Sequence, residues 1–176
     1  MRGIIKIHVH VSICVLIVGL AGCGYTNRAI LPNNIKTIAV PTFKNQIVQG
    51  DTYTYEAGME TDITNAIINR INYDGNLKVV SSDKADAILE GALTKYDQET
   101  LRYEDRAKVK EYRLFIGVDI SLIDNRTGEI IWTERNFTGR TEYFRTGTYA
   151  TTERTAMLSA RDDLAKKVVD RIIEDW

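Results

Sequence analysis

Histidine is almost missing from this chain of 176 residues, and the only two, His8 and His10, lie near its start. Cysteine is as scarce, with Cys14 and Cys23. If residues 1–22 are removed as a leader, as argued below, the remaining chain has no histidine and one cysteine. A Ser-His-Asp or Cys-His catalytic arrangement then cannot be built, nor can a zinc site of the usual His/Cys type. No disulfide is available either, even in an oxidising compartment. Charge of one sign is lacking too. The full chain carries a net charge of −1, and without Arg2 and Lys6 the remainder is 21 − 24 = −3. That balance argues against a general nucleic-acid binder, which carries a strong basic excess. The composition calls for no cofactor. The chain reads as a binding module, with an enzyme nearly removed.

The N-terminus carries the strongest local pattern. Arg2 and Lys6 form a short basic start, residues 7–22 hold no charge, and the run closes on Leu20-Ala21-Gly22-Cys23. A basic start, an apolar stretch near ten residues and a small-residue exit describe a secretory signal. The stretch is short for a spanning helix, which needs about 20 apolar residues. The Leu-Ala-Gly-Cys ending resembles the bacterial lipobox. That resemblance implies lipidation of the Cys23 thiol and cleavage before it, leaving a chain fixed to a membrane by acyl groups such as palmitate. Each buried methylene adds roughly 0.8 kcal/mol to such an anchor. The expected organisation is a signal at 1–22, a lipidated tether at 23–34 and one α+β domain at 35–176, long enough for a real core.

Within that domain, Ile35 to Phe43 reads as a strand, with Pro41 at an edge or at its exit. Tyr55, Met59, Ile63, Ile67 and Ile71 recur every four residues and predict a helix over 55–71, with Gly58 weakening its first turns. A short strand follows at 77–80, then a connector at 81–85. Three long strands come next, at 87–103, 110–124 and 129–143. The middle one alternates cleanly, with Tyr112, Leu114, Ile116, Val118, Ile120 and Leu122 on one face. Asp124 to Gly128 is a hairpin turn. Met157, Ala160, Leu164, Val168 and Ile172 stripe a last helix over 152–175. Asp162-Asp163 read there as a wet face. The order predicts a two-layer α+β sandwich: a mostly antiparallel four-stranded sheet, plus one further short strand, covered on one face by two helices.

Two groups of residues are candidates for contact. The strand-loop-strand tip carries Arg102, Arg106, Lys108, Lys110 and Arg113, a surface that could meet phosphates through the planar guanidinium fork. Lys110 shares the Tyr112 face and Arg113 the opposite one. The competing reading is a solvated hairpin balanced by Glu104, Asp105 and Glu111. Tyr53, Tyr55, Tyr143, Phe144 and Tyr149 gather near two loops, a residue type favoured at interfaces. Trp132 reads as core. No residue reads as catalytic or metal-ligating.

In order, Cys23-Gly24-Tyr25, Ile35-Lys36-Thr37-Ile38-Ala39-Val40-Pro41-Thr42-Phe43-Lys44-Asn45, Tyr55-Glu56, Ala85-Asp86-Ala87-Ile88-Leu89-Glu90-Gly91, Glu111-Tyr112-Arg113 and Asp124-Asn125-Arg126-Thr127-Gly128 resemble the LptE family of lipopolysaccharide-assembly lipoproteins. The resemblance implies a non-enzymatic plug and assembly factor of the outer-membrane β-barrel LptD, with lipopolysaccharide as cargo. Gly24, rather than Asp, after the cysteine agrees with outer-membrane delivery. A second resemblance, carried by residues 38–45 alone, is to LpoB-type activators of cell-wall synthases and to curli-secretion lipoproteins. It implies docking on a different envelope protein.

Overall fold

The computed structural model describes residues 34–47, 57–105 and 108–174. Strands β1 (Thr37–Ala39) and β2 (Lys44–Asn45) are followed by helix α1 (Met59–Asp74) and β3 (Lys78–Val79). A 3₁₀ turn at Ser82–Lys84 leads into β4 (Ala87–Asp105), β5 (Lys108–Asp124), β6 (Ile130–Phe144) and helix α2 (Glu153–Glu174). They build one six-stranded sheet in the order β3-β1-β4-β5-β6, with β2 beside β4.

The expected α+β class holds, with the long β4–β5 and β5–β6 pairings antiparallel, and the sheet is mixed rather than purely antiparallel. β1 runs parallel to both β3 and β4, and β2 runs parallel to β4. The physical reason is the crossover: β1 and β3 are joined through α1, and a helix between strands returns the chain in the same direction. The expected strand over 35–43 is also split. β1 leaves β4 after Ala39↔Ile88 and β2 rejoins it at Lys44↔Ala92. Four residues, 40–43, thus span three on β4, and Pro41 sits at the exit. In this detour the Phe43 ring lies on Gly91, where an added Cβ would stand 2.3 Å from the ring. Phe43 N–H donates to Thr64 Oγ1 at 3.0 Å, which ties the detour to α1.

Helix α1 begins later than its periodicity suggests. Gly58 does not weaken a first turn; it precedes the helix with φ +98, a left-handed conformation that costs glycine little. Tyr55 lies outside the described residues. Met59, Ile63, Ile67 and Ile71 are all buried, as their spacing predicts. Gly75, also left-handed, ends the helix by donating its N–H to Ile71 O at 3.1 Å. On α2 the predicted stripe is buried throughout and widened by Ala156, Ala165 and Val169. Both helices pack on the sheet face formed by Leu89, Leu93, Leu114, Ile116, Val118, Ile120 and Leu122. Trp132 belongs to the same core. Gly139 on β6 lets α2 settle closely, since a Cβ there would stand 2.4 Å from Ala160 O.

The element lengths do not match. β4, β5 and β6 have 19, 17 and 15 residues, so β4 extends roughly 60 Å at about 3.3 Å per residue. The 22 residues of α2 cover only about 33 Å at 1.5 Å each. Tyr96 marks where α2 begins: its hydroxyl donates to Glu153 at the first turn of α2, 3.3 Å away. From there to Asp105 the β4–β5 hairpin continues for roughly 30 Å beyond the end of α2.

Candidate interaction tip

This protruding hairpin is where the sequence places its cations. Past Glu111↔Phe144, β6 no longer accompanies β5, so the outermost part is a two-stranded ribbon of Arg102 and Tyr103 opposite Glu111 and Val109. Several register shifts between Thr100 and Asp105 bend it. Lys110 accepts Arg145 N–H through its carbonyl at 3.0 Å. This draws the segment after β6 against the ribbon, where Thr151 N–H donates back to Phe144 O at 2.8 Å.

The structure divides the predicted cations into two kinds. Arg113 projects from the sheet face opposite α1 and α2, and carboxylates flank it on both neighbouring strands. Its guanidinium donates to Glu142 on β6 at 2.9 and 2.5 Å and lies 3.7 Å from Glu99 on β4. The Glu142 hydrogen bond chiefly raises the Arg113 pKa above its usual value. Arg113 is therefore a cross-strand tie, and alternation alone could not reveal partners 14 and 29 residues away.

Arg102 is the other kind. Its side chain is 66 % exposed and only 3.6 Å from Glu111, a surface pair of small energetic weight that a stronger anion can displace. Lys110 is half-buried on the Tyr112 side. Lys108 holds a backbone position opposite Asp105, and its side chain, like Arg106 and Cys23, lies outside the described residues.

The aromatic candidates separate in the same way. Tyr143 is buried, stacks on Tyr112 with ring centres 5.7 Å apart, and accepts a 2.6 Å hydrogen bond from Gln98. Arg145, which no sequence pattern singled out, sits over the Tyr112 ring at 5.9 Å, within cation–π range. Tyr103 and Tyr149 remain open to solvent. Tyr53 lies outside the described residues. The tip thus has a stacked base of Tyr112, Tyr143 and Arg145, and an open surface with Arg102, Tyr103 and Tyr149. It offers hydrogen-bond donors and flat contact area. No group of three or more His, Cys, Asp or Glu able to hold a metal occurs among the described residues.

The described residues thus form a helix-backed mixed sheet with a protruding hairpin. The lipopolysaccharide-assembly family model, LptE, matches residues 35–174. The chain belongs to the LptE family, a family of non-enzymatic assembly lipoproteins. A PelC dodecamer from Paraburkholderia phytofirmans is similar in structure at 20% identity and TM-score 0.51, covering 84% of this chain and 96% of that one. The hypothetical protein CT253 from Chlamydia trachomatis is similar at 10% identity and TM-score 0.52, over 78% of this chain and 95% of that one. Both share the fold. The rare lipoprotein B from Shewanella oneidensis matches at 17% identity and TM-score 0.46, over 79% of this chain and 92% of that one. No curated protein matches the chain. Among the described residues no helix is long and apolar enough to cross a membrane, which says nothing of crossing by strands.

Proposed function

We propose that this protein is a lipid-anchored, non-catalytic component of lipopolysaccharide transport that seats in an outer-membrane β-barrel of the LptD type and helps that barrel assemble. The observation that carries the reading is the family match over 35–174. The fold supports it with a projecting hairpin that can enter a lumen while the helix-backed body stays outside or plugs the mouth. Cys23 is the proposed lipid site, and Gly24 after it supports delivery to the outer membrane. Arg102, with Lys110 beside it and Arg106 and Lys108 nearby in sequence, supplies the cations for the barrel wall or for lipid A phosphates. Behind them, Arg113 ties β5 to Glu142 on β6 and Glu99 on β4.

Affinity purification of the full-length protein from detergent-solubilised outer membrane is expected to return one β-barrel protein in stoichiometric amount. Depletion is expected to lower surface lipopolysaccharide before any peptidoglycan defect appears. Recovery of a cell-wall synthase with no barrel would overturn the reading in favour of a synthase activator.

A further inference from the structure

The segment Pro41-Thr42-Phe43-Lys44 does more than shape the core. Its detour from β4 turns Phe43 inward onto Gly91 and leaves a hollow on the sheet face opposite α1 and α2. This open pocket of about 230 Å³ is lined by residues of three strands and the detour itself, among them Lys44, Gln46, Glu90, Asp119 and Ser121. The sheet register sets their spacing: Glu90 stands opposite Ser121, Ala92 opposite Asp119, and Lys44 opposite Ala92. Glu90 and Asp119 are therefore diagonal neighbours on one face.

We propose that this pocket binds a small hydroxylated solute bearing an ammonium group, of the amino-sugar class. Size sets the first limit. The pocket falls below the roughly 300–1,000 Å³ of sites for drug-sized ligands, so it suits a single ring and not an acyl chain or a folded segment. Charge sets the second. Two carboxylates against one lysine leave the lining at −1, which favours a cation. One oxygen of Asp119 is already engaged, accepting Asn136 N–H at 2.9 Å. That bond fixes the carboxylate in place beside Glu90. The Gln46 backbone N–H donates to Leu93 O at 2.8 Å, which holds its main chain at the pocket, and its side-chain amide can both donate and accept. The Thr42 hydroxyl and Lys44 add further partners for hydroxyl groups. Pro41 and Ala92 supply the small apolar surface that a pyranose ring needs on one side. The pocket lies on the sheet face opposite α1 and α2, well below the tip, and does not depend on the barrel reading.

The test is an NMR titration of the full-length protein in detergent with glucosamine, and with glucose and N-acetylglucosamine as probes without the charge. Glucosamine is expected to produce saturable shifts at Lys44, Glu90, Ala92 and Asp119. Glu90→Gln and Asp119→Asn are each expected to weaken it about tenfold, the scale of losing one charged hydrogen bond. Asp119→Asn keeps an oxygen for Asn136 N–H, so the fold survives. Absence of saturable shifts overturns the proposal. So does equal binding of glucose, or a glucosamine response confined to Arg102 and Tyr103.

Discussion

Asp86 shows how one side chain can hold two distant parts of a chain. Its carboxylate accepts the backbone N–H groups of Lys36 and Thr37, both at 2.9 Å, and the Thr37 hydroxyl at 2.8 Å. Its own carbonyl accepts Asn125 N–H at 2.8 Å, and Asn125 donates onward to Ser82 O and Ala85 O. The family-like segments around residues 36, 86 and 125 thus meet in one network at the end of the sheet. Nearby, Asp124 is buried and takes two guanidinium bonds from Arg126, at 3.2 and 2.9 Å. The bond from Lys36 N–H chiefly lowers the Asp86 pKa, and the Arg126 guanidinium holds Asp124 at about 2. Both folded values lie below the ordinary 3.8, so the ionised forms favour the fold. That contribution is fully present above the unfolded value and is lost as pH falls from there toward about 2. Asp86→Ala is expected to cost about 1–2 kcal/mol at neutral pH, the low end because Lys36 N–H can turn to water. Urea unfolding across pH should show the gap between wild type and variant closing as acid protonates Asp86. A gap independent of pH would mean that the charge contributes nothing.

At the scale of elements, the exposed edges of the sheet explain several placements. β6 is an edge strand, and unpaired backbone groups there invite another chain. α2 supplies the answer: Asp163 accepts Arg140 N–H at 2.9 Å, and Lys167 donates to Thr138 O at 3.3 Å and to Asp163 at 2.7 Å. The sequence reads Asp163 as a wet-face residue and weak helix-pair partner; it pairs with Lys167 one turn on and also accepts from the edge strand. Burial pushes its pKa up, and the bonds from Lys167 and Arg140 outweigh that and lower it. On β4, Asp97 similarly takes Gln98 N–H at 2.8 Å and pairs with Lys95 at 3.1 Å. The double variant Asp163→Ala with Lys167→Ala is expected to lose about 1–2 kcal/mol and to self-associate on concentration, read by denaturation and light scattering. A monomeric double variant would refute the edge role. Gly139→Ala tests the other feature of this strand. Its Cβ meets Ala160 and Leu164, and overpacking of this kind costs about 1–3 kcal/mol, measurable as a lower urea midpoint. The clean alternation of 112–122 and the four-residue stripes of both helices made these elements legible in the sequence. The parallel pairings were not, because β1, β2 and β3 have only three, two and two residues and are too short to show a period. The tip was legible as a run of cations, but the split between Arg113 and Arg102 depends on Glu99 and Glu142. The pocket gathers residues 41–121 and has no local signature.

The whole molecule is a helix-covered body with a hairpin that outruns its cover, and this asymmetry allows stability and function to be separated. Tyr96 and Ile116 are buried where α2 begins, and Leu114 and Tyr143 stay buried two to four residues further along the hairpin. Arg102 and Tyr103, further out, are exposed, so the ribbon adds little to the core. Replacing residues 103–110 by Asn-Gly closes β4 onto β5 at the Arg102–Glu111 pair with a two-residue turn suited to the strand twist. The shortened protein gives up the Arg145 N–H bond to Lys110 O, a loss of about 1 kcal/mol, and should otherwise unfold like wild type. If the hairpin is the part that engages a barrel or lipid A phosphates, the shortened protein should fail to recover the barrel and should not bind lipopolysaccharide. Arg102→Glu should weaken the same binding in part. Arg113→Glu should behave in the opposite sense, placing a third carboxylate between Glu99 and Glu142 and destabilising the sheet. Barrel recovery by the shortened protein at wild-type yield would place the contact on the body instead. The sheet face opposite α1 and α2 would then be the next surface to vary.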